Sequence, residues 1–257
     1  MIVNPPAIQT RTPLAFLILL AVLSLPFFVL GAVFGAIRVG AVDLPASAVM
    51  FVLPGIAAAI LTYREAGRGG LRRLLRSALD YSAAQRVWYL AALVIPSAVA
   101  ALAYVIARVS GWVDADFSTS LALLPVLLVA TLIAAACEEL GWTAYATDPL
   151  QARRGATATG VFLGICWAVW HLVPLLQVGH SVGWIAGWFL GTVAARMIIV
   201  SLHNRTDRGV LAPILLHAMV NVSAALTPAY DDPAIPIGIG LLTLIPAVAL
   251  TVPGRRD

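Results

Sequence analysis

Five polar side chains stand in apolar stretches of this chain: Glu138, Glu139, His171, His217 and Asn221. Ionisable residues are costly inside membrane-spanning segments, so each of them is a candidate for chemistry. His217 and Asn221 are four residues apart and would share one face of a helix. A carboxylate, two imidazoles and an amide that meet at low dielectric could activate water and stabilise an oxyanion. They could also hold a metal ion with water in an open position.

Two further residues extend this polar set. Trp167 precedes His171 by four residues, so its indole is expected to pack beside the imidazole. Arg196 stands in another apolar stretch and needs a counter-charge there. The adjacent Glu138 and Glu139 project about 100° apart on a helix, which predicts that only one of them faces the histidines. A lone intramembrane histidine is more often a hydrogen-bond partner between helices, so it is the convergence of these residues that favours chemistry.

The stretches that must position these side chains are apolar enough to identify the class of protein. Apolar residues form 61% of the 257-residue chain and charged residues 11%, against about 45–50% and about 25% in soluble proteins. This composition excludes soluble, disordered, collagen-like and coiled-coil chains. A helix needs about 20 apolar residues to cross a bilayer, so we predict an all-α, polytopic membrane helix bundle with about eight transmembrane helices. The predicted spans are Leu14–Ile37, Leu44–Thr62, Val87–Arg108, Ser118–Tyr145, Gly160–Gln177, Val182–Leu202, Val210–Thr227 and Ile235–Val252.

The arginines orient these spans, because basic residues accumulate in cytoplasmic loops. All 16 basic residues are arginine, and eight crossings place 13 of them on one side of the membrane. Those 13 are Arg11, Arg64, Arg68, Arg72, Arg73, Arg76, Arg86, Arg153, Arg154, Arg205, Arg208, Arg255 and Arg256. Both termini are therefore predicted to be cytoplasmic, and the first span is interpreted as a retained helix and not a cleaved signal peptide. Topology explains the net charge of +4, so no nucleic-acid partner is expected.

On this topology the candidate residues lie at one level of the bundle. At about 1.5 Å per residue, Glu138, His171 and His217 would lie about 10–16 Å below the cytoplasmic surface. The eight spans leave no room for a soluble domain. We therefore predict a single integral-membrane domain, residues 1–257, with its catalytic core at about 118–227.

Two further patterns concern the packing of the bundle. The segment GLRRLLRSAL, after the second span, predicts an amphipathic helix that lies in the interface and is attracted to anionic lipid. Small residues four apart predict close helix–helix packing. These pairs are Gly31/Gly35, Gly160/Gly164 and Gly187/Gly191.

Three segments of the chain resemble the motifs of a known family. EELGWTAY at 138–145, WAVWH at 167–171 and HAMVN at 217–221 resemble, in order and spacing, the three motifs of the CPBP intramembrane proteases. That family includes the CAAX-processing and bacteriocin-processing (Abi) proteins related to the eukaryotic type II CAAX prenyl endopeptidase. One such motif alone is weak, but all three in order within hydrophobic helices are specific.

The resemblance implies a role for each motif residue. Glu138 would be the general base and would work with His171 on the attacking water. His217 and Asn221 would hold the oxyanion or orient that water, and Glu139 would support them. No cofactor is expected, and a divalent metal at Glu138, His171 and His217 is the alternative. The chain has no H-E-x-x-H motif of the zincin type.

One position departs from the family pattern. The first motif usually reads E-E-x-x-x-R, and Thr143 stands here where the arginine falls. Threonine offers a hydroxyl but no charge. Arg196 has a depth comparable to that of Glu138 and Glu139, so we predict that it pairs with one of them in place of the missing arginine. The alternative is that Arg196 snorkels to a membrane surface about 9 Å away.

Together these features predict an intramembrane endopeptidase that hydrolyses a peptide bond near the cytoplasmic membrane boundary. Its partners would be the lipid bilayer and a peptide or protein substrate at the membrane, with a lipidated substrate as one option. A non-catalytic immunity or scaffold protein of the same fold is the main alternative. A small transporter with a Glu–His proton relay is a third hypothesis, against which the lack of repeat symmetry argues.

Overall fold

The computed structural model describes residues 12–39, 42–115, 122 and 124–251. Over these residues the chain forms nine α-helices. They are α1 (Pro13–Phe34), α2 (Leu53–Ser77), α3 (Arg86–Val109), α4 (Leu124–Trp142), α5 (Thr147–Arg154), α6 (Ala156–Val178), α7 (Val182–Arg205), α8 (Leu211–Leu226) and α9 (Ala234–Thr251). In this part of the chain, seven helices are long and apolar enough to cross a membrane, and α8 is a shorter apolar helix. The protein is therefore an integral, multi-pass membrane protein with the predicted all-α bundle fold.

Each of the eight predicted spans overlaps one helix, but the boundaries of the first two helices differ clearly from the prediction. Helix α1 ends before the predicted Ile37, because Gly35 adopts a φ of +66° and the chain turns away. Two short strands follow, β1 (Ala36–Val39) and β2 (Val42–Pro45), which pair antiparallel. A 3₁₀ segment then leads into α2, so that this helix begins nine residues after the predicted Leu44.

The fourth predicted span, Ser118–Tyr145, is also longer than the helix it contains. Helix α4 ends at Trp142, and the described part of the predicted span begins with residues 122 and 124. The chain turns at residues 143–146 and continues as the short helix α5, which the sequence pattern did not predict. This turn places Thr143 directly after the two glutamates of α4.

Helix α7 is the most enclosed of the long helices. It packs along α6, α8 and α9, and every residue from Ala194 to His203 is buried. A Cβ atom added to Gly160 would lie 2.9 Å from the Cα of Met197, and one added to Gly164 would lie 2.8 Å from the Cα of residue 193. Because those gaps are too small for a side chain, glycine allows α6 and α7 to approach closely, as predicted.

The predicted amphipathic segment is the second half of α2. Gly67 has a φ of +59° and a ψ of −160°, which are not helical values, and α2 kinks there. The residues after the kink are helical to Ser77, as predicted. Leu74 is 4% exposed and packs into the core, whereas Leu75 is 52% exposed. The segment also exposes four arginines: Arg68, Arg72, Arg73 and Arg76.

Candidate active site

Four motif residues line one cavity of about 120 Å³ inside the bundle. Glu138 comes from the last turns of α4 and His171 from the second half of α6. His217 and Asn221 come from one face of α8, because they are four residues apart. The predicted convergence of these four side chains is therefore confirmed.

Glu138 faces the cavity with a carboxylate that one neighbour holds. The indole Nε1 of Trp167 donates a hydrogen bond to Glu138 Oε2 at 2.8 Å. Glu138 is only 4% exposed, and among the described residues its Oε1 atom has no hydrogen-bond partner. A carboxylate with one oxygen held and the other free can accept a proton from a molecule in the cavity.

Glu139 lies behind the cavity wall and is fully buried. Arg196 donates to both of its oxygens, from Nη1 to Oε2 at 2.7 Å and from Nη2 to Oε1 at 3.0 Å. The hydroxyl of Thr143 donates to Oε2 at 2.5 Å, and Nδ1 of His217 donates to Oε1 at 2.8 Å. The prediction that only one glutamate faces the histidines is wrong, because Glu139 reaches His217 from behind while Glu138 shares the cavity with it.

Arg196 pairs with Glu139, as predicted, and does not snorkel. Its side chain is fully buried, and the face of its guanidinium lies over the ring of Trp167, with 4.2 Å between Cζ and the ring centroid. Nη1 also donates to the hydroxyl oxygen of Thr143 at 3.4 Å. Arg196 and Thr143 therefore both contact the carboxylate of Glu139. Arg196, on α7, supplies the positive charge that Thr143 lacks.

The two histidines are oriented by acceptors on the side away from the cavity. Nδ1 of His171 lies 3.0 Å from the carbonyl oxygen of Trp167. A carbonyl only accepts, so the proton is assigned to Nδ1, and Nε2 of the neutral ring carries the lone pair. Nδ1 of His217 likewise donates to Glu139, which is a carboxylate because it pairs with Arg196. In both rings Nε2 is the nitrogen left for a substrate or water.

Trp167 contacts four other residues of this site. It lies edge-on to His171, with ring centroids 5.8 Å apart, which confirms the predicted packing. It also contacts the ring of His217 at 4.7 Å, stacks on Arg196 and donates to Glu138. The helical spacing predicted the first of these contacts only. The other three depend on how α4, α7 and α8 are rotated against α6, which a single sequence does not reveal.

Three other lining residues were not predicted: Trp188, Thr192 and Tyr230. Trp188 lies 5.4 Å from the ring of His171. Thr192 follows Trp188 by four residues on α7 and so shares its face, a spacing that could have identified the pair. Tyr230 lies in the turn between α8 and α9, and no pattern in the sequence signals it.

The side chains of this site do not fit the metal alternative. Among the described residues, no three His, Cys, Asp or Glu side chains are grouped so that they could hold a metal ion together. No catalytic step is therefore assigned to a metal.

Comparisons with known proteins agree with the motifs. Residues 119–223 match the family described as type II CAAX prenyl endopeptidase Rce1-like. The chain is also 31% identical over 143 residues to a protein named CAAX prenyl protease 2 from Methanococcus maripaludis. That alignment covers 52% of this chain and 52% of the relative, so the chain matches about half the length of the curated relative. The resemblance carried by the three motifs is thus confirmed: over residues 119–223 this chain is similar to the type II CAAX prenyl endopeptidases.

Proposed function

We propose that this protein is an intramembrane endopeptidase that hydrolyses a peptide bond with water activated by Glu138. One observation carries the proposal. The free oxygen of Glu138 shares a buried cavity with His171, His217 and Asn221. A base, a second proton acceptor and hydrogen-bond donors for an oxyanion are the groups that amide hydrolysis requires in one place.

The proposed reaction begins with a water molecule between Glu138 and His171. Glu138 takes a proton from this water, and the resulting hydroxide attacks the carbonyl carbon of the peptide bond. The electron pair of the C=O bond moves to oxygen, and the oxyanion accepts hydrogen bonds from the amide of Asn221 and from Nε2 of His217. Donation from Nε2 requires a proton on both ring nitrogens of His217, because Nδ1 already donates to Glu139. The tetrahedral intermediate then collapses, the C–N bond breaks, and Glu138 returns its proton to the leaving amine.

Glu139, Arg196 and Thr143 are positioning residues in this proposal. None of the three lines the cavity, and they are joined by hydrogen bonds of 2.5–3.4 Å. Their arrangement fixes the ring of His217 through Nδ1. No cofactor is proposed, because the side chains serve as base and donors without one.

The class of substrate and the orientation of the protein in the membrane are part of the same proposal. The similar protein from Methanococcus maripaludis is named a CAAX prenyl protease, which supports a peptide or protein substrate at the membrane, with a lipidated one as the first to test. The distribution of the arginines supports cytoplasmic termini and cleavage near the cytoplasmic boundary. The fold would serve an immunity or scaffold protein equally well. The missing arginine at Thr143 would weigh against catalysis, and Arg196 supplies that charge.

The test is peptide release from membranes that contain the wild type or Glu138→Gln, followed by mass spectrometry. Glutamine keeps the shape of the side chain but cannot take the proton, so peptides released by the wild type should disappear. Glu65→Gln is the matched control, because Glu65 also accepts a hydrogen bond, from the hydroxyl of Tyr145 at 2.6 Å, but does not line the cavity. Peptides that persist in Glu138→Gln membranes would contradict the glutamate mechanism. Identical peptides with and without the protein would favour the non-catalytic alternative.

A further inference from the structure

The cavity extends well beyond the four motif residues. The length of the cavity can be estimated along α7, on which Arg196 pairs with the carboxylate of Glu139. Gly187 also lines the cavity and precedes Arg196 by nine residues on α7. At about 1.5 Å per residue, the α-carbons of Gly187 and Arg196 are about 13 Å apart along α7. An extended peptide rises about 3.3 Å per residue, so this part of α7 has the length of about four residues of an extended chain.

The walls of this distant part are almost entirely apolar. They are formed by Val99, Ala100, Gly187, Trp188, Pro236 and Ile239. Among the residues that line the cavity, Glu138 is the one acidic residue, and none is an arginine. A charged substrate residue in this part would lose its hydration without gaining a counter-ion, which costs several kcal/mol.

Four hydroxyl side chains also line the cavity: Thr192, Ser223, Tyr230 and Thr243. The hydroxyl of Ser223 lies 3.3 Å from that of Ser97. Among the described residues, neither the phenol hydroxyl of Tyr230 nor the hydroxyl of Thr192 has a hydrogen-bond partner. Thr243, which lines the same cavity, instead donates its hydroxyl proton to the carbonyl of Ile239 at 2.6 Å. Tyr230 and Thr192 therefore have donors to offer to a molecule in the cavity.

The backbone of Tyr230 is held firmly. Nε1 of Trp184 donates to its carbonyl oxygen at 2.8 Å, and the two rings meet edge to face, 5.7 Å apart. Two residues on, the carboxylate of Asp232 accepts from the backbone N–H of Ala234 at 2.8 Å, at the start of α9. Burial raises the pKa of Tyr230, as does the charge of Asp231, so its phenol stays protonated. A fixed, protonated phenol is a preorganised donor.

We propose that Tyr230 and Thr192 are substrate-positioning residues. They form a subsite that binds an apolar stretch of the cleaved peptide, in which their hydroxyls donate to its backbone carbonyls and Trp188 packs against its side chains. The subsite rests on the proposed function for its role in cleavage, but binding itself does not require that Glu138 act as a base. The two can therefore be tested separately.

The binding test uses the Glu138→Gln protein in detergent and a defined probe. The probe is an acetylated hexapeptide of leucine residues with one p-benzoylphenylalanine, and its partner peptide replaces the two leucines that flank the photoreactive residue with aspartates. Irradiation followed by mass spectrometry should place the adduct of the apolar probe on residues 187–192 or 230–239, with little adduct from the acidic peptide. An adduct elsewhere on the protein, or equal labelling by both peptides, would overturn the subsite.

The role of the hydroxyl is tested by Tyr230→Phe, which removes one oxygen atom. Loss of one neutral hydrogen bond should weaken binding of the leucine probe about 3- to 10-fold. Tyr104→Phe is the matched control, because the hydroxyl of Tyr104 donates to the carbonyl of Ala115 at 2.7 Å and does not line the cavity. Unchanged affinity in Tyr230→Phe, or an equal loss in Tyr104→Phe, would refute a positioning role.

Cleavage gives an independent readout. In active protein, Tyr230→Phe should raise KM by the same factor and leave kcat unchanged, whereas a merely structural role would lower the amount of folded enzyme and thus the apparent kcat. If the probe binds as expected but no peptide is ever cleaved, the subsite stands and the proposed function fails. If peptides are cleaved and the probe labels other regions, the proposed function stands and the subsite fails.

Discussion

Arg196 and Glu139 are 57 residues apart in the chain and form a bidentate ion pair in which both side chains are fully buried. A buried charge whose partner is removed costs far more than an exposed one. The pair also holds His217, because the oxygen that accepts from Arg196 Nη2 accepts from His217 Nδ1 as well. The stability of the bundle and the orientation of one candidate catalytic group thus depend on the same carboxylate.

Arg196→Ala should destabilise the folded protein by about 3–5 kcal/mol, because Glu139 would be left as an unpaired buried charge. Thermal unfolding of the detergent-solubilised protein measures this. Adding Thr143→Arg to Arg196→Ala should restore part of the loss, since Thr143 already contacts both Glu139 and Arg196. Arg208→Asn is the control, because asparagine tolerates the φ of +62° at this position and the pair with Asp148 is 56% exposed on the arginine side. Its loss should change stability by about 1 kcal/mol or less. A double variant as unstable as Arg196→Ala would show that positions 143 and 196 do not share the role.

Glu139→Gln should impair both stability and cleavage, whereas Glu138→Gln should impair cleavage alone. Glutamine at 139 cannot balance the charge of Arg196 and leaves His217 without an acceptor of full charge. Loss of the base at 138 should lower the rate by a factor of about 10²–10⁴ with little change in melting temperature. Melting curves and peptide release on the same preparations distinguish the two variants. Equal melting temperatures for both would contradict the division into a reacting and a positioning glutamate.

Trp167→Phe should lower the cleavage rate about 10- to 100-fold, because the hydrogen bond from Nε1 to the Glu138 carboxylate is lost while most of the ring is kept. Trp142→Phe is a matched control. Trp142 is also buried beside Arg196, but its Nε1 has no hydrogen-bond partner among the described residues. It should therefore retain near wild-type cleavage once the amount of folded protein is taken into account. The same rate loss in both variants would mean that only packing matters.

Gly164→Ala should separate α6 from α7, because the added methyl group would meet the backbone of Val193 at 2.8 Å. Overpacking of this kind costs about 1–3 kcal/mol and would move His171 away from Arg196 and its partners. Gly183→Ala, also in a long helix, places its methyl group 3.7 Å from the Cβ of Pro233, an ordinary contact. Melting temperatures should fall for the first variant and stay near wild type for the second. No difference between them would show that the helix interface adjusts freely.

Asp148 on α5 should make the free energy of unfolding depend on pH in the acidic range. Burial alone raises the pKa of Asp148, but the hydrogen bond and charge of His203 and the charge of Arg208 outweigh it, so that the pKa lies below its ordinary value of 3.8. Because the pKa of Asp148 is lower in the folded state, its ionised carboxylate stabilises the fold at pH values above the pKa of the unfolded state. This stabilisation is lost as the pH falls through the pKa of the folded state. Asp148→Asn should therefore melt lower than wild type near neutral pH, and the difference should shrink below about pH 4.

The control for this effect is Asp207→Asn, because Asp207 is exposed and makes none of these contacts. Its melting temperature should follow that of the wild type across the same pH range. A constant difference between wild type and Asp148→Asn from neutral to acid pH would contradict the assigned linkage.

The sequence predicted this site as far as helical spacing and burial cost allow. His217 and Asn221 had to share a face, and Arg196 had to find a carboxylate, because an unpaired guanidinium among apolar helices is too costly. The contact of Glu139 with His217 was missed. It depends on how far α4 and α8 are rotated about their axes, and adjacent residues in one helix differ by about 100°.

Loops and kinks were harder still to predict. Tyr230 reaches the cavity from a turn in which Ala229 has a φ of +52°, a conformation that alanine rarely adopts and no sequence rule signals. The kink of α2 depends on Gly67, one of 20 glycines in the chain, and nothing in the composition around it distinguishes it from the others. Backbone geometry of this kind is set by the neighbours that the segment meets in the folded bundle.

The 16 residues of α8 rise only about 24 Å, which is less than the roughly 30 Å thickness of a bilayer's hydrocarbon core. None of its residues is exposed, so surrounding helices separate it from the acyl chains. Non-helical backbone at such depth is tolerated where protein encloses it or where it borders water. Because α8 is about 6 Å shorter than the hydrocarbon core, a flanking turn, at residues 206–210 or 227–233, is expected to lie within the thickness of that core. The proposed hydrolysis consumes one water molecule per bond, and such a turn would shorten the path of that water from bulk solvent to the site.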